Sequence, residues 1–123
     1  MSYTVDSKVA TFIHSHSLER RTTMSRNLRE DRHGKVPVIV GRLTTNDPTL
    51  TSCKFVLPEQ TLISSLMVLL RQRANLQKGE SLILLTDRQA VLPLTTTLSV
   101  AYQHHAAPDG FLYLFYTVEQ ALG

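Results

Sequence analysis

Apolar residues are sparse over the first third of the chain and dense beyond it, and their spacing changes from helical to extended and back. Val9, Phe12 and Ile13 recur at helical spacing and predict a short first helix. Ser17 stands as an N-cap before Leu18-Glu19-Arg20-Arg21, opening a mostly polar second helix with Leu18 and Leu28 as its buriable residues and Gly34 as its stop. The density rises at Val36. Val36 to Leu43 is a β-branched run between Gly34 and the Thr44 to Pro48 turn cluster, and it predicts a strand with Pro37 near its start. Ser52 to Leu57 predicts a second strand, ended by Pro58 and paired with the first as an antiparallel hairpin. Between Thr61 and Arg73, Leu62, Ile63, Leu66, Leu69 and Leu70 form the stripe of a core-facing helix.

The rest of the pattern is shorter-ranged. Gly79 precedes a buried strand at Leu82 to Leu85, Asp87-Arg-Gln makes a turn, and Ala90 to Leu92 predicts a brief strand before Pro93. Thr95, Thr96 and Thr97 offer N-caps for a short helix over Leu98 to Gln103. After the Pro108-Asp-Gly110 turn, Phe111 to Tyr116 is apolar without alternation, as expected of a strand covered on both faces. The order is ββαββ(α)β behind a helical extension. Residues 1–35 form that extension, 36–116 the core domain, and 117–123 a tail leaving the last strand.

Composition narrows the class. At 123 residues with 42% hydrophobic and 19% charged positions, the chain is one globular domain with an extension, and it buries about two-thirds of its unfolded surface. No apolar run approaches the length of about 18 residues that spans a bilayer. The acidic Met-Ser-Tyr-Thr-Val-Asp start does not read as a secretion signal, and a single cysteine permits no intrachain disulfide and suits the cytosol. The net charge of +3 resides in residues 1–35, which hold seven basic and four acidic side chains, whereas 36–123 are balanced. Such an arm suits acidic or phosphate-bearing partners. It lacks interleaved aromatics, so no specific nucleic acid is expected.

Candidate chemistry is thin. Cys53 lies in a strand with no nucleophile motif around it and reads as a small hydrophobe. His14-x-His16 and His104-His105 lack a third ligand at fixed spacing, and the five glycines are isolated, so neither a metal centre nor a phosphate-cradling loop is expected. No cofactor follows from these residues.

Several blocks in one order point to a family. Val36-Pro-Val-Ile-Val40, Lys54-Phe-Val-Leu-Pro58, Leu69-Leu-Arg-Gln-Arg73, Tyr102-Gln-His-His105, Phe111-Leu-Tyr113 and Gly123 closely resemble the GABARAP-type autophagy modifiers over residues 18–123. The resemblance implies an α+β fold, a ubiquitin-like β-grasp core preceded by two N-terminal helices. It implies a non-enzymatic modifier, conjugated through Gly123 to phosphatidylethanolamine by activating and conjugating enzymes. It further implies a cytoplasmic protein with a lipidated pool on autophagosomal membranes, recruiting receptor and cargo-adaptor peptides that bear an aromatic-x-x-aliphatic motif. Sister modifiers joined to a protein lysine share the core and the terminal glycine and are the alternative; the Pro-Val-Ile-Val block and the basic extension favour the lipid branch. With nothing after Gly123, conjugation is expected without prior proteolysis.

Carried over by position, the resemblance implies a first peptide pocket of Leu28, Pro37, Lys54, Val56 and Phe111. A second would use Phe55, Leu57, Pro58, Leu66, Leu69, Leu70 and Arg73. One strand can serve both because alternate side chains leave it on opposite faces: Lys54 and Val56 toward the extension, Phe55 and Leu57 toward the Thr61 to Arg73 helix. The sequence departs from close relatives at Met24, where they carry an acid, at Ser52, where they carry a base, and at Leu122, often aromatic in them.

Overall fold

The computed structural model describes residues 6–120. In chain order these form α1 (Ser7–Ser15), α2 (Leu18–Asp31), β1 (Lys35–Arg42), β2 (Lys54–Pro58), α3 (Ile63–Arg73), β3 (Glu80–Thr86), α4 (Leu98–His105) and β4 (Leu112–Gln120). The arrangement is the expected α+β one, with two helices ahead of the sheet.

Local chemistry sets the helix starts. The Asp6 carboxylate accepts from the Lys8 and Val9 amides to open α1. Ser17 caps α2 through the Arg20 amide, and Thr97 caps α4 through the Val100 amide. Helix α3 has no side-chain cap; its Ile63 and Ser64 amides instead donate to the carbonyls of Thr96 and Leu94.

The sheet runs β2-β1-β4-β3, with β1 and β4 parallel at its centre and both outer pairs antiparallel. Period-two alternation divides its side chains between two apolar layers. Val36, Val38, Val40, Phe55, Leu84, Leu112, Leu114 and Tyr116 pack beneath α3 and α4 with Ile63, Leu66, Leu70 and Leu98. Ile39, Phe111, Tyr113 and Phe115 face the other way, against Val9, Phe12 and Ile13 of α1 and Met24 and Leu28 of α2. β4 therefore reads as an unbroken apolar run because both of its faces are covered. Gly41 lets α1 approach: a Cβ there would lie 2.7 Å from Val9 Cγ2.

Four expectations need correction. Leu18 is 54% exposed, and α2 is seated through Ser25, Met24 and Leu28 instead. Ala90 to Leu92 is no strand but one isolated bridge, Leu85 to Val91. α4 continues to His105 rather than stopping at Gln103. Residues 117–120 belong to β4, where they pair with Glu80 to Ile83, and the Asp47 carboxylate accepts from the Val118 amide and the Thr117 hydroxyl. The remaining tail, including Gly123, lies outside the described residues.

The two outer strands differ in what their free sides offer. On β3, the Glu80 carbonyl accepts from Arg71 Nη1 at 2.5 Å, the Leu84 carbonyl accepts from the Leu92 amide, and the Thr86 amide donates to Ala90. That edge is largely covered by the protein's own groups.

Candidate peptide-binding site

The register fixes which groups β2 presents outward. Val40 donates to the Cys53 carbonyl and Glu59 to that of Gly34, and in this register Val38 pairs with Phe55 and Val36 with Leu57. Antiparallel pairs alternate, so the main-chain groups of Phe55 and Leu57 turn toward β1, and those of Lys54 and Val56 turn to the open side. Pro58 occupies the next outward position, where its missing N–H costs no bond to β1. Pro37 is accommodated similarly: it turns toward β4, whose pairing with β1 begins only at Val38. One local bond touches the open edge. The Lys54 amide donates to Ser52 Oγ at 3.4 Å, a long and exposed contact that an incoming strand could replace.

The first residue set comes together on the α2 side of the sheet. Pro37 lies opposite Val56 and Ile39 opposite Lys54 in the β1–β2 register, while Leu28 and Phe111 share the cluster of Ile39. Within the set Phe111 is wholly buried and Pro37 is buried, Leu28 and Val56 are half-buried, and Lys54 is exposed. The second set, apart from Pro58, lies on the α3 side; Pro58 stands opposite Lys35 in the register and so alternates onto the face of Lys54 and Val56. Leu66 and Leu70 are each 1% exposed and Phe55 is buried, so these three are core, whereas Leu57 and Leu69 are half-buried and Pro58 and Arg73 exposed. The accessible members are thus Leu28, Val56, Lys54 and Pro58 on one side of the edge and Leu57, Leu69 and Arg73 on the other, and the remaining members are buried.

A buried polar node, not evident from the sequence, holds α2 in place. The Asp109 carboxylate accepts from Arg21 Nε at 2.9 Å, from the Tyr113 hydroxyl at 2.5 Å and from the Phe111 amide at 2.9 Å, while its carbonyl accepts from Ser25 Oγ. Arg21 also donates to the carbonyls of Ile13 and His16, tying the α1–α2 junction to the turn before β4. The only sequence signal for Asp109 is a turn, because its partner lies 88 positions away.

The remaining reactive groups are quiet. Cys53 is partly buried, and burial, with the Asp6 carboxylate second, raises its thiol above the ordinary value, the opposite of what activates a nucleophile. His16 Nδ1 lies 2.9 Å from the Phe12 carbonyl, and the His104 and His105 rings are 6.3 Å apart. Among the described residues no group of three or more His, Cys, Asp or Glu could hold a metal ion, and no helix is long and apolar enough to cross a membrane.

Comparison with known proteins places this geometry in a family. The model described as "Autophagy protein Atg8 ubiquitin like" matches residues 20–123. The chain belongs to the Atg8 family. Relatives of this Atg8-family chain include Protein lgg-2 of Caenorhabditis elegans, 32% identical over 98 residues, which cover 78% of this chain and 75% of that protein. Autophagy-related protein 8d of Arabidopsis thaliana is 29% identical over 116 residues, 94% of this chain and 96% of that one. Among solved structures, the crystal structure of Trypanosoma brucei ATG8 aligns with a TM-score of 0.78 at 26% identity, covering 91% of this chain and 97% of that one. The Atg8 match starts inside α2, so α1 lies beyond the segment that defines the family here. The protein is accordingly a ubiquitin-like autophagy protein with the Atg8 fold.

Proposed function

We propose that this Atg8-family chain is a non-enzymatic modifier, conjugated through Gly123 to phosphatidylethanolamine, that recruits receptor and cargo-adaptor peptides bearing an aromatic-x-x-aliphatic motif. The observation that carries the recruiting role is the outer edge of β2. It pairs outward main-chain groups at Lys54 and Val56 with partly exposed apolar residues on both faces, Leu28 and Val56 on one and Leu57 and Leu69 on the other. A peptide adding as a strand takes its affinity from main-chain bonds and its specificity from alternate side chains, which is what such an edge supplies. Lys54 would attract acids beside the aromatic anchor, and Arg73 would donate to peptide carbonyls at the aliphatic one.

Conjugation rests on the family and on the chemistry of Gly123. Glycine has no Cβ to obstruct the narrow channels of activating and conjugating enzymes. A phospholipid provides the two acyl chains that durable anchoring requires, which would place the lipidated pool on autophagosomal membranes and the remainder in the cytoplasm. Titration of a labelled aromatic-x-x-aliphatic peptide tests recruitment. Saturable binding is expected, lost when both anchors become alanine, and equal affinity for the two peptides would refute docking by two anchors. Gly123→Ala in a reconstituted lipidation reaction tests attachment, and lipidation at the wild-type rate would overturn it.

A further inference from the structure

On the side of α2 toward α4 lies a groove of about 440 Å³, walled by α2 and by the turn preceding β4. Arg26 and Arg29 of α2 and His33 of the turn after it line the groove, with Tyr102 and Gly110. The chain's other arginines near the core are spent on structure: Arg21 on Asp109 and two carbonyls, Arg71 on Glu80, Arg42 on Asp6 and Thr45. Arg26 and Arg29 are different. Among the described residues neither takes part in an ion pair, although Glu30 shares the groove.

Arg29 is nevertheless held. Its guanidinium lies 4.8 Å from the centroid of the Tyr102 ring, and that ring is fixed in turn by a 2.7 Å bond from its hydroxyl to the Gly110 carbonyl. A cation held over a ring in this way is attracted by the ring's face and spends no N–H on an acceptor. Gly110 makes the close wall possible: it sits at φ +86°, and a Cβ there would fall 2.3 Å from Ser25 Oγ.

We propose that this groove is an anion site for a phosphate monoester, with Arg26 and Arg29 gripping the phosphate oxygens and His33 beside them. Two features of the chain, together with the charge and oxygens of the anion, select that ligand. Arg26 and Arg29 are i and i+3 on a helix, so they are neighbours that line one groove and can both reach a single anion there. A phosphate dianion offers three terminal oxygens and serves two guanidiniums together, whereas a carboxylate has two oxygens and half the charge. The groove's volume lies in the range of small-molecule sites, leaving room for the polar body that carries the phosphate. Much of the main chain at the turn is already engaged: the Gly110 carbonyl by Tyr102, its amide by Ala107 and the Asp109 carbonyl by Ser25.

The site is distinct from the β2 edge, so its test is independent of peptide recruitment. Isotope-labelled protein is titrated with inositol monophosphate, with inositol as the uncharged control, and separately with phosphatidylcholine vesicles containing either phosphatidylinositol monophosphate or phosphatidylinositol. Saturable amide shifts at Arg29, His33 and Gly110 are expected with inositol monophosphate and not with inositol. Arg26→Gln/Arg29→Gln should weaken binding by about tenfold or more. The charge-matched Arg20→Gln/Arg32→Gln, outside the groove, should keep affinity within about threefold, the shift that screened distant charges produce. Binding of the soluble probe alone assigns the site to free phosphate monoesters, and selective binding of the phosphorylated vesicles as well assigns it to a lipid headgroup. Equal losses in the two double variants would reduce the groove to general electrostatics and overturn the proposal. So would groove shifts with an acidic peptide but not with inositol monophosphate. A dispersed spectrum for each variant establishes that it is folded.

Discussion

Replacing Asp109 with alanine should destabilise the protein more than any surface change and should do so by releasing α2. The side chains of Asp109 and Arg21 are 3% and 15% exposed, so the ion pair between them is nearly desolvated. Removing one member of such a pair typically costs about 3–5 kcal/mol, because the other charge stays buried. Arg21 keeps the carbonyls of Ile13 and His16, which places the loss near the lower end, about 3 kcal/mol. The Tyr113 hydroxyl and the Phe111 amide also lose this acceptor. Against a usual total of about 5–15 kcal/mol that is a large fraction. Urea denaturation should show the midpoint falling by more than about 1 M, since slopes for small domains are about 1–3 kcal/mol per M. A double-mutant cycle sharpens the argument. Arg21→Met with Asp109→Ala should cost about 1–2 kcal/mol less than the sum of the single changes, because no unpaired charge remains. A loss below about 1 kcal/mol for Asp109→Ala, or strict additivity in the cycle, would refute the reading of this node as the latch of α2.

At the β2 edge, Leu57→Ala should weaken binding of an aromatic-x-x-aliphatic peptide by about 1–3 kcal/mol, and Lys54→Ala by less and mainly for acidic peptides, both read by titration after a circular-dichroism check of folding. Gly41→Ala should press a methyl group into Val9 and Phe115 and cost about 1–3 kcal/mol, with hydrogen exchange accelerating first in α1. Burial, then the Asp6 carboxylate, holds the Tyr116 phenol far above its ordinary value of 10.0, so the unfolded chain loses this proton first. Stability from this group is intact below that ordinary value and is lost as pH rises above it toward the folded value. Relative to Tyr116→Phe, the wild type should therefore lose up to about 1.4 kcal/mol per pH unit there, measured by urea midpoints across that range.

What the chain disclosed in advance follows from the range of the interactions concerned. α3 was legible from its helical period, β1 and the core of β4 from apolar runs bounded by turn residues, and the two faces of β2 followed from alternation. The free edge of β2 was expected together with the family resemblance rather than read from the apolar pattern, since sheet order depends on β1 pairing with β4 over more than 70 positions. Short-range patterns also misled where long-range contacts decide. Leu18 looked buriable and is exposed, whereas Ser25 is buried because Asp109 and Gly110 come to meet it. Thr117 to Gln120 read as part of a tail leaving the last strand, yet β3 and Asp47 hold them in register. At the site, the resemblance named Leu66 and Leu70, while the helical stripe already turned both toward the core, where they are sealed.

The unequal outer strands bear on how such molecules behave when crowded. Unlimited growth of a sheet from copy to copy requires two receptive borders on every unit, because each newcomer must leave a fresh border behind it. Here Arg71 and the 90–92 segment close most of β3, leaving only the stretch around Leu82. A copy that lent its β3 to the β2 of a neighbour would have to surrender those bonds first. Concentrating many molecules on one surface thus raises the supply of receptive β2 borders without supplying matching donors, and those borders remain vacant for extended segments of other proteins.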